Sequence, residues 1–258
     1  MQEKKTSLSY KIIIGVIRLL YPKFEAVGVE NLPNEPVIIV SNHAQTNGPI
    51  ACELYSPRMR YTWCVGEMMT LKEIPAYAFK DFWSQKPKYT HPFYKALSYL
   101  IAPLANIIFN NANTIAVRHD ARIFSTFRKT LAKLHAGVDI VIFPEYDSPH
   151  NNVIYNFHDR FIDVAKLYHK KSGKEICFVP LYIAPKLGKM YYGKPIRYQA
   201  SNSTDEERVR IRQYLMDEIT SIATSLPTHT VIPYRNIPKK FYPKNRPLEV
   251  KTDEKTDS

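Results

Sequence analysis

The strongest constraint on the fold comes from short apolar runs that stop abruptly at turn-forming residues. Residues 37–40 read Val-Ile-Ile-Val and end at Ser41-Asn42-His43, before the polar tract 44–48 and Pro49. About a hundred residues on, 138–143 read Val-Asp-Ile-Val-Ile-Phe and end at Pro144-Glu145. Runs this short and this rich in β-branched residues predict buried strands. A histidine delivered at the C-terminal end of a buried strand, where a helix is due to begin, is a common placement for a general base. A strand-end histidine satisfied by nearby main chain is the plain alternative, and this stretch alone leaves both open.

The rest of the chain alternates in the same way. Residues 61–65, 114–118 and 176–183 predict further strands, the second ending in Arg118 and the third containing Val179-Pro180. Between them, 121–134 places Ile123, Phe124, Phe127, Leu131 and Leu134 on one helical side, with Arg122, Arg128, Lys129 and Lys133 on the other, and Gly137 as its cap. Residues 50–55 predict a helix start and 157–168 a helix. A last helix runs from Ser203, through an acidic first turn, to about Ser225 before Pro227. Strands alternating with helices predict an α/β fold: a single domain with a largely parallel central sheet flanked by helices. The expected organisation is an N-terminal amphipathic or interfacial helix within 1–23, the domain over 24–226, and a Pro/Lys-rich extension with a disordered tail over 227–258.

Composition narrows the function classes. The net charge is +12, which attracts nucleic acid, anionic head groups or phosphorylated ligands. Basic residues interleave with aliphatic and aromatic ones, as over 10–23, and no zinc-finger, RNP or helix-turn-helix signature is present. An anionic membrane surface or a phosphorylated ligand is therefore expected, and no nucleic acid; a generally basic solvated surface is the alternative. Three cysteines without paired spacing argue against a disulfide framework or zinc site and fit a reducing cytosol. With only eight glycines, a dinucleotide-binding loop is excluded, and no metal motif or Ser-centred elbow is present. The N-terminus lacks the cleavage site of a signal peptide. The apolar segment 8–21 is too short to span a bilayer and reads either as an interfacial helix or as one packed on the protein's own core. The run 94–109, broken by Pro103, could line an acyl-chain tunnel or dip into a membrane interface, but is more simply read as buried helix.

Taken together, Asn42-His43, strand-end Arg118, Phe143-Pro144-Glu145, Val179-Pro180 and Gly193-Lys194-Pro195-Ile196, in this order, resemble the blocks of the phospholipid/glycerol acyltransferase family, the PlsC-like lysophospholipid acyltransferases. The phrase Gly28-Val29-Glu30-Asn31-Leu32-Pro33 ahead of the first block is also similar to that family. The resemblance spans roughly 24–225 and implies a glycerol-phosphate-acyltransferase-like fold. Two departures fall on the family's working residues. Its first block, Asn-His-x4-Asp, here has Gly48 in place of the aspartate, and its third, Phe-Pro-Glu-Gly, has Tyr146 in place of the glycine. Glu67 and Lys72 are weak equivalents of a Lys/Glu-bearing helix entry, and Arg160 stands where the family tends to have glycine.

The resemblance implies transfer of an acyl chain from acyl-CoA or acyl carrier protein to a lysophospholipid, a glycerol-phosphate-like molecule or another hydroxyl acceptor, as in phospholipid biosynthesis. No cofactor or metal is expected, since the acyl donor is a substrate. His43 would be the base; Asn42, Arg118, Phe143, Pro144, Glu145 and Tyr146 would form the substrate site. Gly48 cannot orient His43. Asn47 could accept a hydrogen bond from its ring but offers no charge, and Glu53 and Asp147 are candidate carboxylates from neighbouring segments. Tyr146 would narrow the acceptor pocket and Asp147 would repel a phosphate. The expected location is peripheral, at the cytoplasmic face of the membrane. A catalytically weak relative that binds lipid or acyl donor as a regulatory module is the alternative.

Overall fold

The computed structural model describes residues 7–118 and 122–246, with the side chains of 147–150 left aside. The tail expected over 247–258 lies outside the described residues. In chain order the elements are α1 (Leu8–Leu20), β1 (Glu25–Val27), β2 (Val37–Ser41), α2 (Asn47–Tyr55), β3 (Arg60–Val65), α3 (Ile74–Ala78), α4 (His91–Asn111), β4 (Thr114–Val117), α5 (Ile123–His135), β5 (Asp139–Ile142), β6 (Glu145–His150), β7 (Tyr155–Phe157), α6 (Asp163–Ser172), β8 (Cys177–Ala184), β9 (Lys189–Tyr192), β10 (Ile196–Arg197) and α7 (Thr204–Ser225).

The main sheet has the order β1-β9-β8-β2-β5-β3-β4, with β10 added alongside β8. Five pairings are parallel, and the two made by β8 with β9 and β10 are antiparallel. The fold is thus the expected α/β domain with a largely parallel central sheet. β2 lies between β8 and β5 and is buried along its whole length. Its side chains alternate between two cores, as a period of two requires. Ile38 and Val40 join Ile140, Ile142 and Phe178 under α5, α6 and α7. Val37 and Ile39 join Val141, Val179 and Leu181 on the other face, against α2 and Phe24.

Pro180 stands in a central strand, where a missing N–H would ordinarily break the ladder. Its carbonyl accepts from Gly193 N–H at 2.9 Å. Its ring nitrogen faces the same side, where β9 has ended and β10 has not begun, so the missing donor falls in an interruption of the partner strands.

Some local expectations are corrected. The helix expected from 157 begins only at Asp163: Tyr155–Phe157 is a strand pairing with β6, Arg160–Ile162 is a 3-10 turn, and the helix runs on to Ser172 before left-handed Gly173. The plain buried-helix reading of 94–109 is not what the structure gives. α4 buries only Ser98 and Ala102, while Phe93, Tyr99, Leu100 and Leu104 are exposed. By length and composition alone, 88–111 is the one described helix apolar enough to cross a membrane. α1 packs beside α4, with Ser7 N–H donating to Asn111 Oδ1. In α1, Tyr10 is buried with its hydroxyl donating to Glu53 at 2.6 Å, while Leu8, Ile12, Val16, Leu19 and Leu20 form an exposed apolar stripe.

Candidate functional site at the C-terminal edge of the sheet

Because β2, β5, β3 and β4 run parallel, the turns that follow them share one edge, the usual place for ligands in an open α/β sheet. His43 follows β2, Phe143-Pro144-Glu145 follows β5, Gly66 and Glu67 follow β3, and Arg118 follows β4.

The turn after β2 is held from three sides. The buried Asn42 amide pairs with Ile183 of β8, accepting from its N–H at 2.7 Å and donating to its carbonyl at 3.0 Å. Asn42 is therefore committed to main chain, locking the strand exit. Ala44 and Gln45 then take left-handed conformations, φ 46° and 56°. Such conformations cost a non-glycine residue on the order of 1–3 kcal/mol each and persist where the surroundings over-determine them. Their effect is to curl the chain back so that His43 Nδ1–H donates to the Gln45 carbonyl. A carbonyl can only accept, so the proton sits on Nδ1, and Nε2 is left as the acceptor nitrogen.

Glu145 supports the same turn through main chain. One carboxylate oxygen accepts from His43 N–H at 2.5 Å and the other from Tyr155 N–H at 2.9 Å. Burial pushes this carboxyl up to about 7, against the lowering effect of those two donors. Burial likewise pushes the His43 imidazole below its ordinary value, partly offset by the Gln45 carbonyl. Aromatic rings supply that burial: Phe143 lies 5.1 Å from His43 and Tyr234 meets it edge-on at 5.6 Å, with Tyr155 a further 5.9 Å from Tyr234.

None of the carboxylates weighed for His43 is found on its ring among the described residues. Glu53 accepts from Tyr10 and pairs with Arg60 at 2.6 Å. The Asp147 side chain lies outside the described residues. Asn47 does not reach the ring either. It accepts from the Tyr21 hydroxyl and donates to the Ala44 carbonyl, both at 2.9 Å, stapling the turn to the end of α1. The orienting acceptor is the Gln45 carbonyl instead.

Gly48 has a structural role in the turn. Its N–H donates to the His43 carbonyl at 3.0 Å. A Cβ there would lie 2.5 Å from that oxygen and 2.8 Å from the Phe143 ring. With this turn, position 48 accepts no side chain without a backbone shift.

Arg118 reaches the same edge, but three strand spacings from β2, about 14 Å across the sheet. Its guanidinium lies over Gly66, donates to Thr70 Oγ1 at 2.9 Å and to the Gly66 carbonyl at 3.2 Å, and pairs with Glu73 at 3.1 Å. The Pro144 carbonyl accepts from His158 N–H at 2.9 Å. Tyr146 stacks on His158 at 4.5 Å, and its hydroxyl accepts from Asn156 at 2.8 Å, so its ring is committed to the β6–β7 hairpin. Arg160 is exposed.

The sequence reading missed three contributors: Gln45, whose carbonyl rather than side chain does the orienting, and Tyr234 and Tyr242 of the C-terminal segment. The available signal was the density of tyrosine and proline over 233–243, which is not the composition of a solvated tail.

These features define an α/β domain with a histidine-centred site at a strand-end edge. No protein-family profile matches the sequence, and no curated protein matches it. Among solved structures the chain is similar to the 1-acyl-sn-glycerophosphate (LPA) acyltransferase PlsC from Thermotoga maritima, at 15% identity over 86% of this chain and 83% of that one, with a TM-score of 0.44.

Proposed function

We propose that this protein is an acyltransferase working at a membrane surface. It would move an acyl chain from acyl-CoA or an acyl carrier protein to a lysophospholipid, a glycerol-phosphate-like molecule or a related hydroxyl acceptor. The observation that carries the reading is His43 at the end of the central strand, its Nδ1–H bonded to the Gln45 carbonyl. His43 Nε2 takes the proton of the acceptor hydroxyl as the oxygen attacks the thioester carbonyl. The carbon–sulfur bond then breaks, and the leaving thiolate recovers the proton from the imidazolium. Burial favours the neutral base at physiological pH. The main-chain acceptor fixes the tautomer but brings no charge to stabilise imidazolium, so the base is weaker than one backed by a carboxylate.

The exposed apolar stripe of α1 beside the exposed residues of α4, on a chain of net charge +12, supports docking to anionic lipid from the cytoplasmic side. Glutamate at Ile12 and Leu19, both exposed, should release the protein from anionic vesicles without unfolding it. Unchanged vesicle binding would remove this part of the reading.

A second reading rests on two observations: Arg118 is already neutralised by Glu73, and no described carboxylate backs His43. On that reading the chain binds lipid or acyl donor without turnover. Labelled acyl-CoA and carrier-protein thioesters, offered with lysolipid acceptors on vesicles, separate the two. Transfer by the wild-type chain that is lost in His43→Ala supports the enzyme. Retained vesicle binding with no transfer supports the binding module.

A further inference from the structure

The segment after α7 does not trail away from the domain. His229 Nδ1–H donates to the Pro227 carbonyl, and its Nε2 accepts from the buried Tyr182 hydroxyl, each at 2.8 Å. Fully buried Asn245 accepts from His229 N–H at 2.8 Å and donates to the Ala223 carbonyl at 2.7 Å. Val231 N–H donates to the Pro243 carbonyl at 2.9 Å, and Thr230 bridges to Lys244. The two ends of the segment are therefore zipped together, and 232–242 forms a closed loop carried back over the sheet edge. From that loop Tyr234 caps the His43 ring, and Asn236 donates to the Phe82 carbonyl at 3.2 Å. Phe82 lies in the π-helical turn Phe79–Trp83 that follows α3. Two further contacts reach Gln45: its side-chain amide donates to the Tyr242 hydroxyl at 2.9 Å and to the Arg235 carbonyl at 3.3 Å.

Gln45 is thus gripped at both ends. Its main-chain carbonyl holds His43, and its side chain is held by the C-terminal loop. A left-handed glutamine is costly, and a tether of this kind over-determines it. We infer that Tyr242 is a positioning residue for His43: through the Gln45 amide it fixes the left-handed turn that presents the Gln45 carbonyl to Nδ1, so the C-terminal loop is part of the site. The inference rests on the proposed role of His43 for its catalytic meaning, but its geometry can be tested without turnover.

The test uses the full-length chain labelled with ¹⁵N, with long-range proton–nitrogen spectra of the imidazoles reporting the His43 tautomer. Wild type should show Nδ1–H as the dominant neutral form. Tyr242→Phe, which keeps the ring and removes the acceptor, should raise the Nε2–H form several-fold, and so should Gln45→Met. The double variant should shift the tautomer no further than Gln45→Met alone, because that substitution already removes the bond to Tyr242 along with the one to the Arg235 carbonyl. With a working transfer assay, kcat should fall several-fold in Tyr242→Phe while KM holds. A wild-type tautomer ratio in Tyr242→Phe, or shifts that add in the double variant, would overturn the inference. A tautomer that responds as stated in a protein without transfer activity would leave the inference standing and sink the acyltransferase reading.

Discussion

The turn after β2 and the turn after β4 each carry a cationisable side chain to the same edge of the sheet, and they treat it in opposite ways. His43 is walled by Phe143 and Tyr234 and given a neutral main-chain acceptor on Nδ1. Arg118 is given a carboxylate, a hydroxyl and a carbonyl. Desolvation without a counter-charge keeps an imidazole neutral and able to take a proton. Charge pairing does the reverse: it holds a guanidinium in place and occupies the donors a phosphate would need. One turn holds its side chain neutral, as the proposed base requires, and the other keeps its guanidinium paired with Glu73. Glu145 belongs with the first turn, since its carboxylate is spent on two main-chain donors and shapes the loop without touching the ring.

The largest effect expected from this contrast is at His43. His43→Ala should lower transfer by about 10²–10⁴-fold while circular dichroism and the thermal midpoint stay near wild type. Removal of Arg118 should be far milder in the same assay, and equal losses would break the contrast.

Next comes Glu145. Its folded-state value is raised to about 7, so its share of stability is present below the ordinary carboxylate value and lost as pH rises through about 7. That share is on the order of 3 kcal/mol. Urea midpoints compared between pH 4.5 and 8 should show this slope in wild type and its loss in Glu145→Gln. Parallel pH curves for the two proteins would show that Glu145 is not desolvated as described.

Gly48→Asp sharpens the comparison from the other side. Restoring the aspartate of the resembled motif would be expected to raise activity if only the acid were missing. Here the added Cβ meets the His43 carbonyl and Phe143, so the variant should lose about 1–3 kcal/mol of stability and gain no activity. A stable, faster variant would contradict the geometry of the turn.

The smallest effect is at the closed turn. Glu73→Gln should cost under about 1 kcal/mol, because the pair is partly exposed. By releasing Arg118 it should lower KM for a phosphate-bearing acceptor by roughly fivefold or less. No change in KM would remove Arg118 from the acceptor site.

How much of this was legible follows from where the information sits. β2 was readable because both of its faces are buried, which demands an unbroken β-branched run. α5 and α7 were readable from one-sided apolar spacing and, for α7, a capping box from Ser203 to Glu206. β1 and β7 were not, since three-residue strands defined by pairing with β9 and β6 leave no periodic trace. α4 misled because apolar composition is the same whether a helix is covered or exposed. At the site, Asn42-His43 and Glu145 could be found from residue type at strand ends. The acceptor for His43 could not, because every residue has a carbonyl and only the left-handed pair at 44 and 45 turns this one inward. The grip of Tyr242 on Gln45 spans 197 residues of sequence and has no local signature.

The central claim is that burial and a main-chain acceptor, not a carboxylate, set the state of His43. A ¹⁵N titration of its imidazole in the wild-type protein tests this most directly. The account predicts an Nδ1–H neutral form and a midpoint below the ordinary histidine value of about 6.5. A midpoint above that value, or an Nε2–H neutral form, would mean that a carboxylate or another partner holds the ring, and would contradict it.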